Sequence, residues 1–334
     1  MCEVFGILPT GETIYKVTLK SRGSTATVIS YGATLISFRP YGREIVGGFD
    51  TLSDYLACRS YHGATVGRVC NRIVGAGFTM DGVTYRLSKN NGENCLHGGS
   101  DAFHNKPWQL MLANDDEAVF SYLSPDGQSG FPGNLKVTAT YKLDGASLYI
   151  EYSAVPDRKT PVMITNHAYF NLDSFSGTVL DHRARIYADE YSEVTEERVP
   201  TGRRISVEGT PFDFRRMRAI GECINESPIG YDHNFVLSGD VKKGLFGAEL
   251  SLAAVIEGSE LRLCAYTDQP GMHFYVLMNP SEDAPLLSGG IEQTPHSAFC
   301  LEMQIEPDCV NRGVGFIEAC GEYLSRTAYS AELI

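Results

Sequence analysis

Short runs in which β-branched and aromatic residues alternate with polar ones recur along the chain, separated by turn-forming residues. Residues 14–19, 26–30, 119–123, 135–143 and 148–154 read as strands, and the second half continues with 183–188, 234–237, 250–256, 261–266, 273–278, 299–304 and 323–328. Within Lys136-Val137-Thr138-Ala139-Thr140-Tyr141 the alternation is that of a half-buried sheet, and Asp144-Gly145 is a turn-forming pair that predicts a hairpin. No helical period is sustained over the ~12 residues of an ordinary helix. Residues 51–56 predict one short helical turn capped by Thr51 or Ser53. There is no linker, low-complexity tract or internal repeat. The pattern therefore predicts an all-β chain, residues 1–334 forming one large antiparallel domain of sheets packed face to face.

Composition narrows the chemistry more than the fold. A length of 334 residues suits either two average domains or one large all-β domain, and 43% hydrophobic with 21% charged residues is an ordinary globular balance. The net charge of -13 argues against a nucleic-acid partner, which needs a basic surface to displace counterions, and equally against an anionic membrane. A neutral small molecule is the simplest match. No apolar run nears the roughly 18 residues that span a bilayer, and Met1 to Gly6 lacks the basic segment and apolar core of a secretory leader. Nine cysteines with no Cys-x-x-Cys pair form neither a zinc module nor a disulfide framework; they fit buried thiols in a reducing cytosol.

The stretch Thr165-Asn166-His167-Ala168-Tyr169-Phe170-Asn171-Leu172 follows an apolar run, residues 161–164, and reads as a strand end opening into a polar turn. A histidine between two asparagines and two aromatics suits a concave, partly apolar site, and imidazole exchanges protons near neutral pH. A core histidine bonded to backbone is the alternative. Signatures for nucleotide binding, zinc hydrolysis and the serine-hydrolase elbow are absent, and none of the eight histidines is paired at metal-ligand spacing. Neither a nucleotide cofactor nor a metal is expected. What remains are polar clusters in turns: 67–73, 90–99, 230–235, 268–271 and 300–308. Their Asn, Gln, Arg, Asp and His side chains can bind sugar hydroxyls, or can equally be turn chemistry.

Taken together and in order, Asn71-Arg72-Ile73, Leu96-His97-Gly98-Gly99, the segment 126–133, the segment 165–172, Pro200-Thr201-Gly202, Gly230-Tyr231-Asp232-His233-Asn234 and Leu301-Glu302-Met303-Gln304 with Pro307-Asp308 resemble the aldose 1-epimerase (galactose mutarotase) family. The resemblance runs from about residue 11 to the C-terminus. It implies a β-supersandwich that interconverts the α and β anomers of an aldohexose, galactose or glucose, without a cofactor. By the same resemblance Glu302 is the base at the anomeric hydroxyl and His167 the acid at the ring oxygen, while Asn71, Arg72, His97, Asp232 and Gln269 hold the monosaccharide. Simultaneous base and acid suit ring opening, because a proton leaves one oxygen as another reaches its neighbour.

The chain also departs from the family pattern. A glutamine, then Tyr-Thr and an asparagine, usually follow the Pro-Gly of Gln269-Pro270-Gly271; here the run is Met272-His273-Phe274-Tyr275-Val276-Leu277-Met278-Asn279. Segment 289–294 lacks a usual tyrosine, Met303 replaces a threonine and Ala102 a glycine. His104, His182 and His273 fall outside the motifs and are expected to be structural or exposed, and Trp108 to fill core. Three other readings stand beside the mutarotase: a relative acting on a different or phosphorylated sugar, a glycosidase using Asp232 and Glu302, and a sugar-binding protein without turnover.

Overall fold

The computed structural model describes residues Met1–Ile334, and nearly all of its regular structure is strand. Three antiparallel sheets dominate. The first joins Cys2–Ile7, Thr13–Ser21, Ser24–Ile29 and Thr34–Arg39 in chain order. The second is ten-stranded, with Leu135–Asp144, Ser147–Pro156, Tyr323–Leu333, Leu261–Thr267 and Ala248–Glu257 adjacent along its middle. The third, which carries the site, orders Tyr169–Phe170, Phe299–Gln304, Gly271–Val276, Asp232–Leu237, Ala188–Val194 and Pro200–Ser206.

Side chains alternate across a strand, and the third sheet uses that alternation to divide apolar from polar. Phe235, Met272, Phe274, Val276, Phe299, Leu301 and Met303 enter a cluster of 53 buried residues shared with Phe120, Val137, Tyr141 and Ile150 of the second sheet and Val17, Val28 and Phe38 of the first. The intervening residues Asp232, Asn234, His273, Cys300, Glu302 and Gln304 belong to the opposite face, and they are buried too. A buried polar face requires partners or a purpose.

Several predicted elements recur with shifted edges. The hairpin is present, but Asp144 pairs with Ser147, so the two-residue loop is Gly145-Ala146. Gly145 has φ +56, which glycine adopts without strain. The helix is Leu52–Ala57, and Thr51 Oγ1 accepts from the Asp54 amide at 3.2 Å. The run expected at 183–188 divides: Arg183–Ile186 lies in the second sheet, whereas Ala188–Val194 begins a strand of the third. Pro200–Ser206 and Gln109–Ala113 escaped prediction because both are edge strands with exposed residues on both faces, which leaves no apolar alternation to read.

Candidate active site

His167 sits in the bend between Thr165–Asn166 and Tyr169–Phe170. Its amide donates to the Ala64 carbonyl at 3.0 Å and its carbonyl accepts from Gly63 N at 2.9 Å. Asn166 Nδ2 donates to the Gly63 carbonyl at 2.8 Å, and Asn171 Nδ2 to the Ser297 and Gly177 carbonyls at 2.8 and 3.0 Å. The two asparagines are thus struts that fix the loop. The imidazole packs against Tyr169 (ring centroids 5.1 Å apart) and edge-on to His97 (5.3 Å). Its Nε2 stands 3.6 Å from Glu302 Oε1. Glu302 is 1% exposed and its Oε2 has no hydrogen-bond partner, an orphaned carboxylate oxygen in a protein interior.

A second wall comes from the paired strands Arg72–Ile73 and Cys95–Leu96. Asn71 (φ +58) and His97 (φ +51) adopt left-handed backbone there. The Asn71 amide donates to His97 Nδ1 at 3.2 Å, and His97 N to the Asn71 carbonyl at 3.1 Å. An accepting Nδ1 puts the proton of a neutral imidazole on Nε2. Burial, together with the charges of His167 and Arg72, pushes His97 well below its ordinary value and keeps it neutral. Gly98 must be glycine: φ is +87, and a Cβ would meet the Gly67 carbonyl oxygen at 2.0 Å. Arg72 spends Nε on Asn91 Oδ1 at 3.1 Å, its one protein partner through the side chain. The terminal nitrogens remain for a ligand.

The third wall is Asp232, both of whose oxygens are engaged. His273 Nε2 donates to Oδ1 at 2.7 Å, and the Arg198 guanidinium forms an ion pair with Oδ2, its Nε 2.8 Å away. Burial alone would raise this carboxyl; the His273 bond and the Arg72 and Arg198 charges outweigh it and hold Asp232 well below the usual carboxylate range. Asn71 Nδ2 lies 3.3 Å from His273 Nδ1, which it serves as donor.

These residues enclose a cleft of about 350 Å³, lined also by Tyr61, Tyr169, Tyr275 and Asn279. Of the residues expected at the site, His167, Glu302, Asn71, Arg72, His97 and Asp232 line it together. Gln269 does not. Its side chain donates to Asp268 Oδ1 at 2.8 Å and to the Leu324 carbonyl at 3.4 Å, toward the second sheet. The register explains this placement: Glu302 lies opposite His273 and Gln304 opposite Gly271, so Gln269 falls beyond the paired residues. His273, expected to be structural or exposed, lines the cleft, as do Tyr275 and Asn279 farther along the same segment. Arg198 and Tyr61 were missed as well. Arg198 sits between the hairpin strands Ala188–Val194 and Pro200–Ser206, and no motif marks it.

His97, His167 and Glu302 bring donor atoms within 4.8 Å of one another, the makings of a metal site. The tautomer of His97 opposes that use, because offering Nε2 to a cation requires moving its proton to Nδ1 and breaking the Asn71 N–H bond. The segment 126–133 serves the framework: buried Arg68 donates to the Pro132 and Gly133 carbonyls at 2.8 and 2.9 Å and to Ser124 Oγ at 2.6 Å.

Comparison with known proteins bears on the family of the whole chain. A family model described as aldose 1-epimerase matches residues 15–327. A galactose mutarotase from Bos taurus is 42% identical over 318 residues, covering 92% of this chain and 91% of its own. An aldose 1-epimerase from Escherichia coli K12 is 37% identical over 289 residues, 82% of this chain and 81% of its own. The crystal structure of an aldose epimerase homologue from C. elegans superposes with a TM-score of 0.87 at 27% identity, covering 96% of this chain and 99% of that one. With the family model spanning nearly its whole length, the chain belongs to the aldose 1-epimerase family.

Proposed function

We propose that this cleft opens and recloses the ring of a neutral aldohexose, with Glu302 as base and His167 as acid. The observation that carries the reading is the 3.6 Å approach of His167 Nε2 to Glu302 Oε1, two buried groups from distant parts of the chain, on one cleft. Glu302 takes the proton of the anomeric hydroxyl while His167 Nε2 gives one to the ring oxygen. The C1–O5 bond breaks, C1 becomes a carbonyl, and rotation about C1–C2 presents its other face. Closure returns both protons, so either anomer leaves the enzyme in its starting state. Galactose is the first candidate because the mammalian relatives bear the name galactose mutarotase; glucose is the second.

Arg72, His97 and Asp232 hold the remaining hydroxyls, with His97 Nε2–H as a donor of fixed direction. Asn71 supports the walls, and Arg198 and His273 are added to the set that Gln269 leaves. The glycosidase reading is disfavoured, because His273 and Arg198 hold the two oxygens of Asp232 in place, which suits an anchoring acceptor more than an attacking group. We place the protein in a reducing cytosol on the strength of nine unpaired thiols; no helix is long and apolar enough to cross a membrane. The test is polarimetry of freshly dissolved α-galactose and α-glucose. Rotation should decay faster with protein than without, and an unchanged decay for both sugars refutes the assignment.

A further inference from the structure

Two residues before Glu302, on the same face of the strand Phe299–Gln304, Cys300 is completely buried. Its Sγ lies 3.6 Å from His167 Nδ1, the sole hydrogen-bond partner of that nitrogen, while Glu302 Oε1 stands 3.6 Å from Nε2. One strand therefore brackets the imidazole at both nitrogens. Burial pushes the Cys300 thiol well above its ordinary value, and the neighbouring Glu302 and Asp232 charges push it further, so sulfur keeps its proton.

We infer that Cys300 is a positioning residue for His167, orienting the ring through a contact that serves either protonation state of Nδ1. The inference rests on the reading of His167 as the acid. When Nδ1 carries a proton, before and just after Nε2 delivers its own, sulfur accepts it weakly. When the neutral ring carries its proton on Nε2, the S–H rotates about Cβ–Sγ and donates to Nδ1. A carboxylate at this position could only accept, and would hold the ring cationic. A thiol fixes the direction of Nε2 without retaining the charge, which suits a group that must give a proton in opening and take one in closure.

The experiment compares Cys300→Ala and Cys300→Ser in steady-state mutarotation of α-galactose, with imidazole ¹⁵N NMR of the same proteins. Cys300→Ala should lower kcat by roughly tenfold with KM changed less than about twofold, since a misaimed acid weakens the chemical step and spares binding. Cys300→Ser keeps a group that both donates and accepts, and should restore kcat to within about threefold of the parent. The ¹⁵N shift of His167 Nδ1 should change in the alanine variant and return toward the parent value with serine. An unchanged kcat and Nδ1 shift in Cys300→Ala overturns the proposal, as does equal loss in both variants alongside a lowered Tm. Full activity in His167→Asn overturns the acid assignment and this inference with it, whereas a dead His167→Asn beside a parent-like Cys300→Ala overturns the cysteine's role alone.

Discussion

Asn71 lines the cleft, yet the protein engages every one of its polar atoms. Its amide serves His97, its Oδ1 accepts from Arg72 N at 2.8 Å, and its Nδ2 serves His273. One residue thereby sets the tautomers of two histidines that face the ligand. Arg198 works the other way, fixing Asp232 from the rim. Arg198→Leu should therefore raise KM for galactose several-fold and leave kcat within about threefold, because an anchoring bond is lost and no proton transfer is touched. A collapse of kcat at unchanged KM would move Arg198 into the chemistry. The motif residues His167, Glu302, His97 and Arg72 were legible because each stands in a recognisable string. His273 was not, since its place depends on lying opposite Glu302 in a neighbouring strand. Arg198 owes its position to the shape of a hairpin.

At the scale of elements, alternation was the readable quantity, and it divides the third sheet into an apolar core face and a polar face. Strands such as Leu135–Asp144 and Ser147–Pro156 announce themselves because one face is apolar. The stretch before His167 does not behave as the strand its composition suggests. Met163 makes a single parallel bridge to Val69, and Thr165–Asn166 pairs for two residues with Thr65–Val66. Such brief pairings arise from contacts distant in sequence and leave no period to detect. The turn bearing His97 is more constrained. Gly98→Ala should destabilise the protein by on the order of 2 kcal/mol or more and abolish turnover, since the added methyl meets the Gly67 carbonyl in a backbone conformation that penalises it. Calorimetry and polarimetry on that variant read both effects, and a parent-like Tm would contradict the close approach.

The whole molecule buries several histidines that cannot readily charge. Burial, with the charge of His167 adding to it, pushes His62 down to about 3, and burial outweighs the nearby Asp232 to bring His233 to about 4. The unfolded chain protonates these groups near pH 6.5 while the folded chain does not. Their stabilising contribution is therefore complete above about 6.5 and declines as pH falls toward the folded values, by roughly 1–2 kcal/mol per group at pH 5. Asp232, held low, adds a loss that begins only below about pH 4. The Tm should thus fall between pH 7 and pH 5, as thermal melts would show; a flat profile would mean that these histidines protonate without unfolding.

The pairing of Tyr169–Phe170 with Phe299–Gln304 in the third sheet brings residues 167 and 302 together from opposite halves of the sequence, and that meeting is the first thing to test. Exchange NMR on equilibrated galactose measures the rate at which the two anomeric signals interconvert. With the parent protein the exchange should be fast, and Glu302→Gln and His167→Asn should each slow it by about 10²-fold or more while keeping the parent's thermal melt. Exchange near the parent rate in a folded Glu302→Gln protein would contradict the account and place the base elsewhere.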